Sequence, residues 1–260
     1  MIRTSTTLVL LFALLFAGAA HAQYTYNGPG SRGPASLEIS YYYPITGATY
    51  SYTATDYDAK SGKLTDTSFS KHINNKGGGF GAFIGYSIPV AKMGDNSRLA
   101  IAFGFMYGVA LWESGSFSYQ SSSQTGTTTE GSGSADIGVP IGLDYKFGAD
   151  ALRDKSQRFC ATIGMGVYPS FTLTAYNGDA QAKSHVLPYI KGEVGIFAGI
   201  CMKLRAQFNF GDIKYIDYGS ETNYGSSHTS LKGKSSLSLG LVLMPFSWKW
   251  NRSQWWGRRR

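Results

Sequence analysis

The residues of this chain that could do chemistry are charged side chains set within stretches that alternate apolar with small or polar residues. They carry both signs and belong to four such stretches: Glu38, Asp136, Asp144, Lys146, Lys191, Glu193, Lys203 and Arg205. A set of this kind can form a network of ion pairs inside the protein, or it can line a conduit or proton path. Because taking ionised groups out of water is costly, we expect charges in a narrow interior to pair with one another.

The spacing of residues offers no catalytic or metal-binding signature. The histidines beyond the N-terminal segment, His72, His185 and His228, lie in or beside polar links and belong to no local ligand or nucleophile motif. Asp56 and Asp58 precede Lys60 and Gly62, which misplaces both the ligand and the glycine of a calcium loop. The sequence therefore predicts no enzyme, no metal and no cofactor. A hydrolase or acyltransferase site assembled by loops at an outer rim remains an alternative.

Two cysteines, Cys160 and Cys201, belong to stretches that would form a hairpin with its tip near residue 179. Antiparallel register then places Cys160 opposite roughly residue 198, close to Cys201. A disulfide and two separate thiols both fit this spacing, since sequence separation cannot establish the geometry of the Cβ atoms.

These residues must be positioned by strands, because eight stretches have the period-two pattern of a β-strand. Within residues 98–112, for example, Leu99, Ile101 and Phe103 alternate with Ala100, Ala102 and Gly104. The predicted strands are 35–44, 78–90, 98–112, 135–147, 158–171, 187–199, 201–211 and 234–246. On the inward faces, large side chains should fill the space left by facing glycines: Phe83, Met106, Trp112, Tyr168 and Phe197.

The connections between these strands alternate strictly between short and long. The long links are polar and cover 45–77, 114–133, 172–186 and 212–233. An up-and-down barrel has this arrangement when one side carries tight turns and the other large loops. The long links could add two more strands, but they lack the apolar outward face that lipid requires.

The N-terminal segment is typical of a secretory signal. Residues 1–22 contain Arg3, an apolar run from Leu8 to Phe16 and the small-x-small site Ala20-His21-Ala22. The apolar run is shorter than the roughly 20 residues of a spanning helix. No later apolar run is long enough for one, so any membrane insertion must use strands in a closed barrel. A soluble secreted β-protein is the other possibility.

The remaining segments are a Gly- and Pro-rich leader, 23–34, a barrel over 35–246 and a basic, Trp-rich tail, 247–260. The formal charge of +8 is uneven, because Arg3 and five tail residues hold six of the 24 bases, which leaves 18 bases against 16 acids. No basic stripe runs through the body, so nucleic acid is not an expected partner. Trp and Arg favour a membrane interface, and we expect Trp248 and Trp250 to anchor there.

With its signal, its eight alternating stretches and a last strand that ends at Phe246, the chain resembles the small eight-stranded outer-membrane barrels of Gram-negative bacteria, the OmpX and OmpA-transmembrane type. The resemblance covers roughly residues 35–246. It implies an all-β fold, an eight-stranded antiparallel up-and-down transmembrane β-barrel with short periplasmic turns and long extracellular loops. It also implies residence in the outer membrane and a mostly structural, adhesive or stress-related role.

Three functions fit the sequence. The first is a structural or surface-binding barrel whose lumen is filled by side chains, with outer-membrane lipid as its surroundings and an extracellular ligand held by the loops. An eight-stranded barrel is only wide enough for side chains to fill it, which favours this function. The others are a narrow channel for small or apolar solutes, suggested by the Gly-rich inner face, and the rim enzyme.

Overall fold

The computed structural model describes residues 36–58, 62–75, 78–112, 117–120, 125–128, 132–152, 157–176, 179–222 and 225–250. The predicted signal 1–22, the leader 23–34 and the tail residues 251–260 lie outside this described part. Among the described residues, no helix has the length and apolar character needed to cross a membrane.

The fold is almost entirely strand. The strands are β1 (Glu38–Asp58), β2 (Lys63–Asn74), β3 (Gly79–Lys92), β4 (Ser97–Trp112), β5 (Phe117–Gln120), β6 (Thr125–Thr128), β7 (Ser132–Gly138), β8 (Ile141–Gly148), β9 (Phe159–Tyr176), β10 (Asp179–Ala198), β11 (Ile200–Thr222) and β12 (Gly225–Met244). A short helix, α1 (Ala149–Leu152), follows β8, and a 3-10 turn (Ser247–Lys249) follows β12.

Ten of these strands form one antiparallel sheet that closes on itself. Both β2 and β3 pair with β1. The β2 strand pairs with residues 47–58, the upper part of β1 on the side of the long hairpins, and β3 pairs with residues 38–42, the lower part on the side of the short turns. The two strands therefore share one place in the ring. Likewise β7 and β8 share the place between β4 and β9, separated at Val139 and Pro140 because Pro140 has no N–H to donate. Because two pairs of the ten strands share one place each, the ring has eight positions, which confirms the predicted eight-stranded antiparallel barrel.

Three of the four predicted long links are long paired hairpins, so the predicted strand bounds stop too early there. There the strands continue and pair with each other well beyond the apolar part: β1 with β2, β9 with β10, and β11 with β12. Thr, Tyr and Ser fill these extensions, and cross-strand pairs of such residues stabilise a hairpin without an apolar face. In the fourth link, β5 and β6 form a separate two-stranded sheet.

The outward faces of the ring carry a belt of exposed apolar side chains. On β9 it runs through Phe159, Ile163, Met165 and Val167 to Phe171, and the neighbouring strands continue it around the barrel. Inward positions alternate with these and are buried. Water on the outside would oppose such a surface, whereas hydrocarbon favours it, so the barrel has the exterior of a membrane-spanning protein.

Aromatic rings occupy the space that inward glycines leave free. The Phe83 ring covers Gly85 and Gly104, and the Tyr168 ring covers Gly138, as the sequence predicted for these two side chains. Tyr42, on the inward face of β1 with Glu38, covers Gly81 and Gly108 and donates a 2.9 Å hydrogen bond to the carbonyl of Tyr107.

We expect Gly104→Ala to destabilise the barrel by about 1–3 kcal/mol, because overpacking a filled interior costs that much. A Cβ there would lie 2.4 Å from the Phe83 ring and 2.7 Å from the carbonyl oxygen of Ile84, so neither neighbour can simply move aside. Gly192→Ala is the matched control, since a Cβ at Gly192 meets nothing within 4 Å. Urea unfolding in lipid vesicles measures both, and equal midpoints would contradict this description of the packing.

Candidate functional site

Eight charged side chains form one ion-pair network in the half of the lumen nearest the short turns. Four are carboxylates and four are cations: Glu38, Asp144, Asp150 and Glu193 with Lys146, Lys191, Lys203 and Arg205. All eight are buried. Because the two signs are equal in number, each ion finds an opposite charge, and this pairing offsets part of the cost of removing it from water.

Lys203 lies at the centre of the network. Its Nζ is 3.0 Å from Glu38 Oε1, 3.0 Å from Asp150 Oδ2 and 2.5 Å from Glu193 Oε2. Oxygens of these three carboxylates lie within 4.8 Å of one another, a spacing that a metal ion could use. Here the ammonium group of Lys203 provides the positive charge that the three carboxylates require.

Two of the other cations also reach strands that are distant in the sequence. Arg205 binds both Glu38 and Glu193, and its Nη2 lies 2.6 Å from Glu193 Oε1. Lys191 reaches Asp144 at 3.0 Å by crossing Gly164, which lies between them on β9. A Cβ on Gly164 would be 2.3 Å from Asp144 Oδ1, so the absence of a side chain there makes room for this ion pair.

The structure brings together seven of the eight charges singled out from the sequence. The exception is Asp136, which faces the lumen but lies higher in the barrel, where it accepts hydrogen bonds from Tyr168 and Thr172. Its assignment to the charge network was wrong, because strand alternation gives the face of a residue and not its height along the barrel axis.

Two buried charges were missed by the sequence analysis. Asp150 completes the network from α1, beyond the end of β8, where the alternating pattern no longer applies. Arg98 lies on the same inward face of β4 as Ala100 and Ala102, and it is buried. The alternation in that strand was sufficient to place Arg98 inside.

The short-turn mouth of the barrel is covered by α1 and by the segment after β12. All four residues of α1 are buried. Ser247 ties the C-terminal segment to the barrel: its hydroxyl accepts a 2.6 Å hydrogen bond from the amide of Cys201 and donates a 2.7 Å bond to the carbonyl of Met244. Beneath the ion-pair network, the lumen is thus closed by packed side chains.

The proposed interfacial anchor was wrong for Trp250. Its side chain is 2% exposed and stacks on Phe197, with ring centroids 5.8 Å apart, so it packs against the mouth and does not reach a membrane surface. The turn at Ser247–Lys249 redirects the chain under the barrel. Trp248, in contrast, is 53% exposed and stays a candidate anchor.

Cys160 and Cys201 lie side by side in the same mouth. Their Sγ atoms are 3.5 Å apart. Both side chains are thiols in a buried cluster with Met244 and Trp250. The hairpin register that the sequence suggested therefore does bring the two cysteines together.

Above the network, the lumen is filled mainly by aromatic and aliphatic side chains. Trp112 packs edge-on against Tyr215 at 5.1 Å between ring centroids, in a cluster that includes Leu187, Ile213 and Leu231. A cavity of about 60 Å³ lies against this cluster, next to Asp136, Tyr42 and Tyr168. The lumen has no wide passage at either of these two levels.

The three histidines are not brought together. His72 on β2 pairs with Thr49, His228 on β12 with Thr53, and His185 lies on β10 opposite Ser170 of β9. His228 Nε2 lies 3.2 Å from Asp217 Oδ1 in an exposed pair. The described residues therefore hold one Asp–His pair at the rim and no cluster of all three histidines.

A broad concavity of about 490 Å³ lies beside that pair, near the tips of the long hairpins. Strands β1, β11 and β12 line it with hydroxyl groups, one carboxylate and one imidazole: Thr53, Thr55, Ser220, Ser226, Ser227, Glu221 and His228. These groups donate and accept hydrogen bonds.

Comparison with known proteins gives structural likeness only. No family model matches the chain, and no curated protein matches it. Solved structures that it resembles include the outer membrane protease OmpT from Escherichia coli, at 11% identity, TM-score 0.40 and coverage of 81% of this chain and 97% of that one. The outer membrane protein OprG from Pseudomonas aeruginosa is 11% identical, with a TM-score of 0.38 and coverage of 81% of this chain and 96% of that one. Neisserial surface protein A is 11% identical, with a TM-score of 0.32 and coverage of 78% of this chain and 96% of that one.

These proteins are outer-membrane barrels, in agreement with the resemblance that the sequence predicted. At such identities and TM-scores the likeness concerns the architecture of the barrel, and it carries no argument about activity.

We expect Lys203→Met to destabilise the barrel by about 3–5 kcal/mol, because it leaves three buried carboxylates without their shared cation. The matched control is Lys92→Met, which removes a 3.2 Å ion pair with Asp95 on the exposed short turn. That change should cost no more than about 1 kcal/mol. Both values come from urea unfolding in lipid vesicles, and similar losses in the two variants would show that the network adds nothing beyond an ordinary surface pair.

We also expect Cys160 and Cys201 to be joined in protein exposed to an oxidising compartment. Each thiol loses a proton and an electron to a disulfide oxidant, which is reduced to two thiols. Denatured protein, acid-trapped directly from cells, should then take up maleimide only after reduction, with two adducts by mass. Cys160→Ser is the control and should leave Cys201 reactive without reductant. Two adducts on unreduced wild-type protein would refute the pairing.

Proposed function

We propose that this protein is an integral barrel of the Gram-negative outer membrane, with a filled lumen and a structural or surface-binding role carried by its long hairpins. The observation that carries the proposal is the combination of an apolar exterior with an interior that holds a balanced network of eight paired ions. The apolar belt suits lipid, and the neutral network suits a barrel that does not conduct ions.

The filled lumen supports this role over that of a channel. Two layers oppose free passage: the ion pairs with α1 and Trp250 at the short-turn end, and the aromatic cluster above them. An eight-stranded barrel leaves only enough interior space for its own side chains, and here those side chains include eight paired ions. Conduction would require several of these ions to lose their partners together.

The long hairpins support binding at the cell surface. They rise beyond the apolar belt as paired strands, and they expose a concavity rich in hydroxyl groups beside Glu221 and His228. Hydroxyl, carboxylate and imidazole groups recognise ligands that themselves carry many hydroxyl groups. A polysaccharide of neutral or positive charge suits this surface better than an anionic one, because Glu221 is the one carboxylate among the described residues that line it.

The first test separates a membrane barrel from a soluble one and a closed barrel from a pore. Protein expressed in a Gram-negative host should sediment with the outer membrane, and on a denaturing gel the unheated form should migrate differently from the boiled form. In planar bilayers it should give no current steps, while a general porin in the same membrane serves as the positive control. Recovery as a folded monomer in detergent-free buffer, or steady conductance, would refute the proposal.

The second test concerns the concavity. We expect chitosan oligomers or dextran to bind immobilised barrel in a saturable manner, and heparin to bind less well. Glu221→Gln should weaken chitosan binding by about tenfold or more, the scale of one charged hydrogen bond. The matched control is Asp95→Asn on the short turn after β3, an exposed carboxylate at the opposite end of the barrel. Absence of saturable binding to all three polymers would remove the case for this surface.

A further inference from the structure

The wall of the barrel has a break between β10 and β11. Their ladder runs from Ala198–Ile200 up to Tyr189–Asn209, and above that level the described residues of the two strands form no further ladder pair. Both strands nevertheless continue, β10 paired with β9 as far as Asp179 and β11 paired with β12 as far as Thr222. Above this level the two strands therefore lose their pairing with each other and keep their pairing with β9 and β12.

The sequence accounts for the position of the break. Pro188 lies directly above Tyr189, the last residue of β10 in that ladder, and it cannot donate a backbone hydrogen bond. On β11, Gly211 has φ of +116°, a conformation that residues with a side chain rarely adopt, and the β11–β12 register shifts between Phe210 and Ile213. Both strands thus carry a residue that interrupts their pairing at the same height, Pro188 on β10 and Gly211 on β11.

The break is a bounded slit. At its upper end, the side chain of Gln181 accepts a 3.0 Å hydrogen bond from the amide of Asp217, which holds the strands together again. Between these levels, residues 182–188 face residues 210–216 without ladder bonds. The slit is filled by Leu187 and Ile213, which are both buried.

A cavity lies directly behind these two side chains. Leu187 and Ile213 are themselves part of the lining of the 60 Å³ lumen cavity, together with Met106, Tyr42, Tyr168 and Asp136. On the outer side, Val186 is 70% exposed and Phe210 is 38% exposed, while the next outward residues of β11, Asp212 and Lys214, are polar. The slit therefore opens at the upper edge of the apolar belt, one layer of side chains away from the cavity.

The cavity has a distinct chemistry. Asp136 accepts hydrogen bonds from the Tyr168 hydroxyl and from Thr172 Oγ1 at 2.7 Å. Among the described residues, no lysine or arginine forms an ion pair with this carboxylate, and the basic group that interacts with it is the imidazole of His185. Every carboxylate of the network below has a lysine or arginine partner. A carboxylate in a mostly apolar cavity favours a ligand that brings a cation and a hydrogen-bond donor.

We propose that this cavity binds a small amphiphilic amine, which enters sideways through the slit between β10 and β11. The ammonium group is held at Asp136, and the short alkyl or aryl body lies between Leu187 and Ile213 and extends toward the apolar belt. The cavity alone has room for only a few water-sized groups, so the head fits there while the body occupies the slit and displaces those two side chains.

The proposal is tested with pentylamine as the probe, by calorimetric titration of the full-length protein in detergent micelles. Pentanol and pentanoate have the same body with a neutral or an anionic head. We expect saturable binding of the amine, weaker binding of the alcohol and none of the acid. Asp136→Asn, which keeps the shape of the side chain, should weaken amine binding by at least tenfold. Equal binding of amine and alcohol to wild-type protein would overturn the assignment of Asp136, whatever the variants do.

The route is tested by association rates. Leu187→Ala with Ile213→Ala should open the slit and speed association of pentylamine several-fold. Leu231→Ala is the matched control, because Leu231 is buried in the same cluster but does not line the cavity. Unheated gel mobility verifies that each variant is folded. Acceleration by Leu231→Ala as large as that of the slit variant, or no change in either, would overturn lateral entry. Neither outcome affects the membrane placement or the lack of conductance proposed above.

Discussion

The rest of this structure depends on the pairing of eight buried ions inside a ring of strands. Taking ions into a low-dielectric interior is costly, and here the opposite charges that offset part of this cost come from β1, β8, α1, β10 and β11. Glu193 and Arg205 face each other directly across the β10–β11 ladder. A slip of that register by one residue would turn Arg205 toward lipid and Leu204 into the lumen. The network thus specifies the register at the same time as it closes the lumen.

The sequence predicts the faces of the strands well because alternation is a local property. A residue and its neighbours along one strand decide which side chains meet lipid, and this correctly placed Lys191, Glu193, Lys203 and Arg205 inside. Height along the barrel is different, since it depends on how far each strand is displaced against the next. That displacement separates Asp136 from Asp144, although both face inward and lie on one predicted strand.

Two further differences from the sequence prediction have the same kind of cause. The apolar pattern marks the part of a strand that meets lipid, so it stopped where Thr, Tyr and Ser replace aliphatic residues and missed the paired extensions of β1, β9 and β11. The composition of the tail suggested an interfacial role for Trp250, but one hydroxyl, that of Ser247, turns the backbone so that this ring covers the barrel mouth. Such a turn leaves no periodic signal in the sequence.

The height of the break between β10 and β11 follows from the membrane. Unpaired backbone N–H and C=O groups cost several kcal/mol each in hydrocarbon, roughly what an unpaired polar group costs in any medium without hydrogen bonds. Lower in the belt, Val194 and Leu204 are exposed on the same two strands, and there the ladder is continuous. The ladder ends only near Phe210, where Asp212 and Lys214 show that the outer surface becomes polar and water can reach the backbone. The ion-pair network below fixes the register of both strands, so the seam can open above it without loosening the barrel. A site that is entered from the side is therefore compatible with a lumen that stays closed.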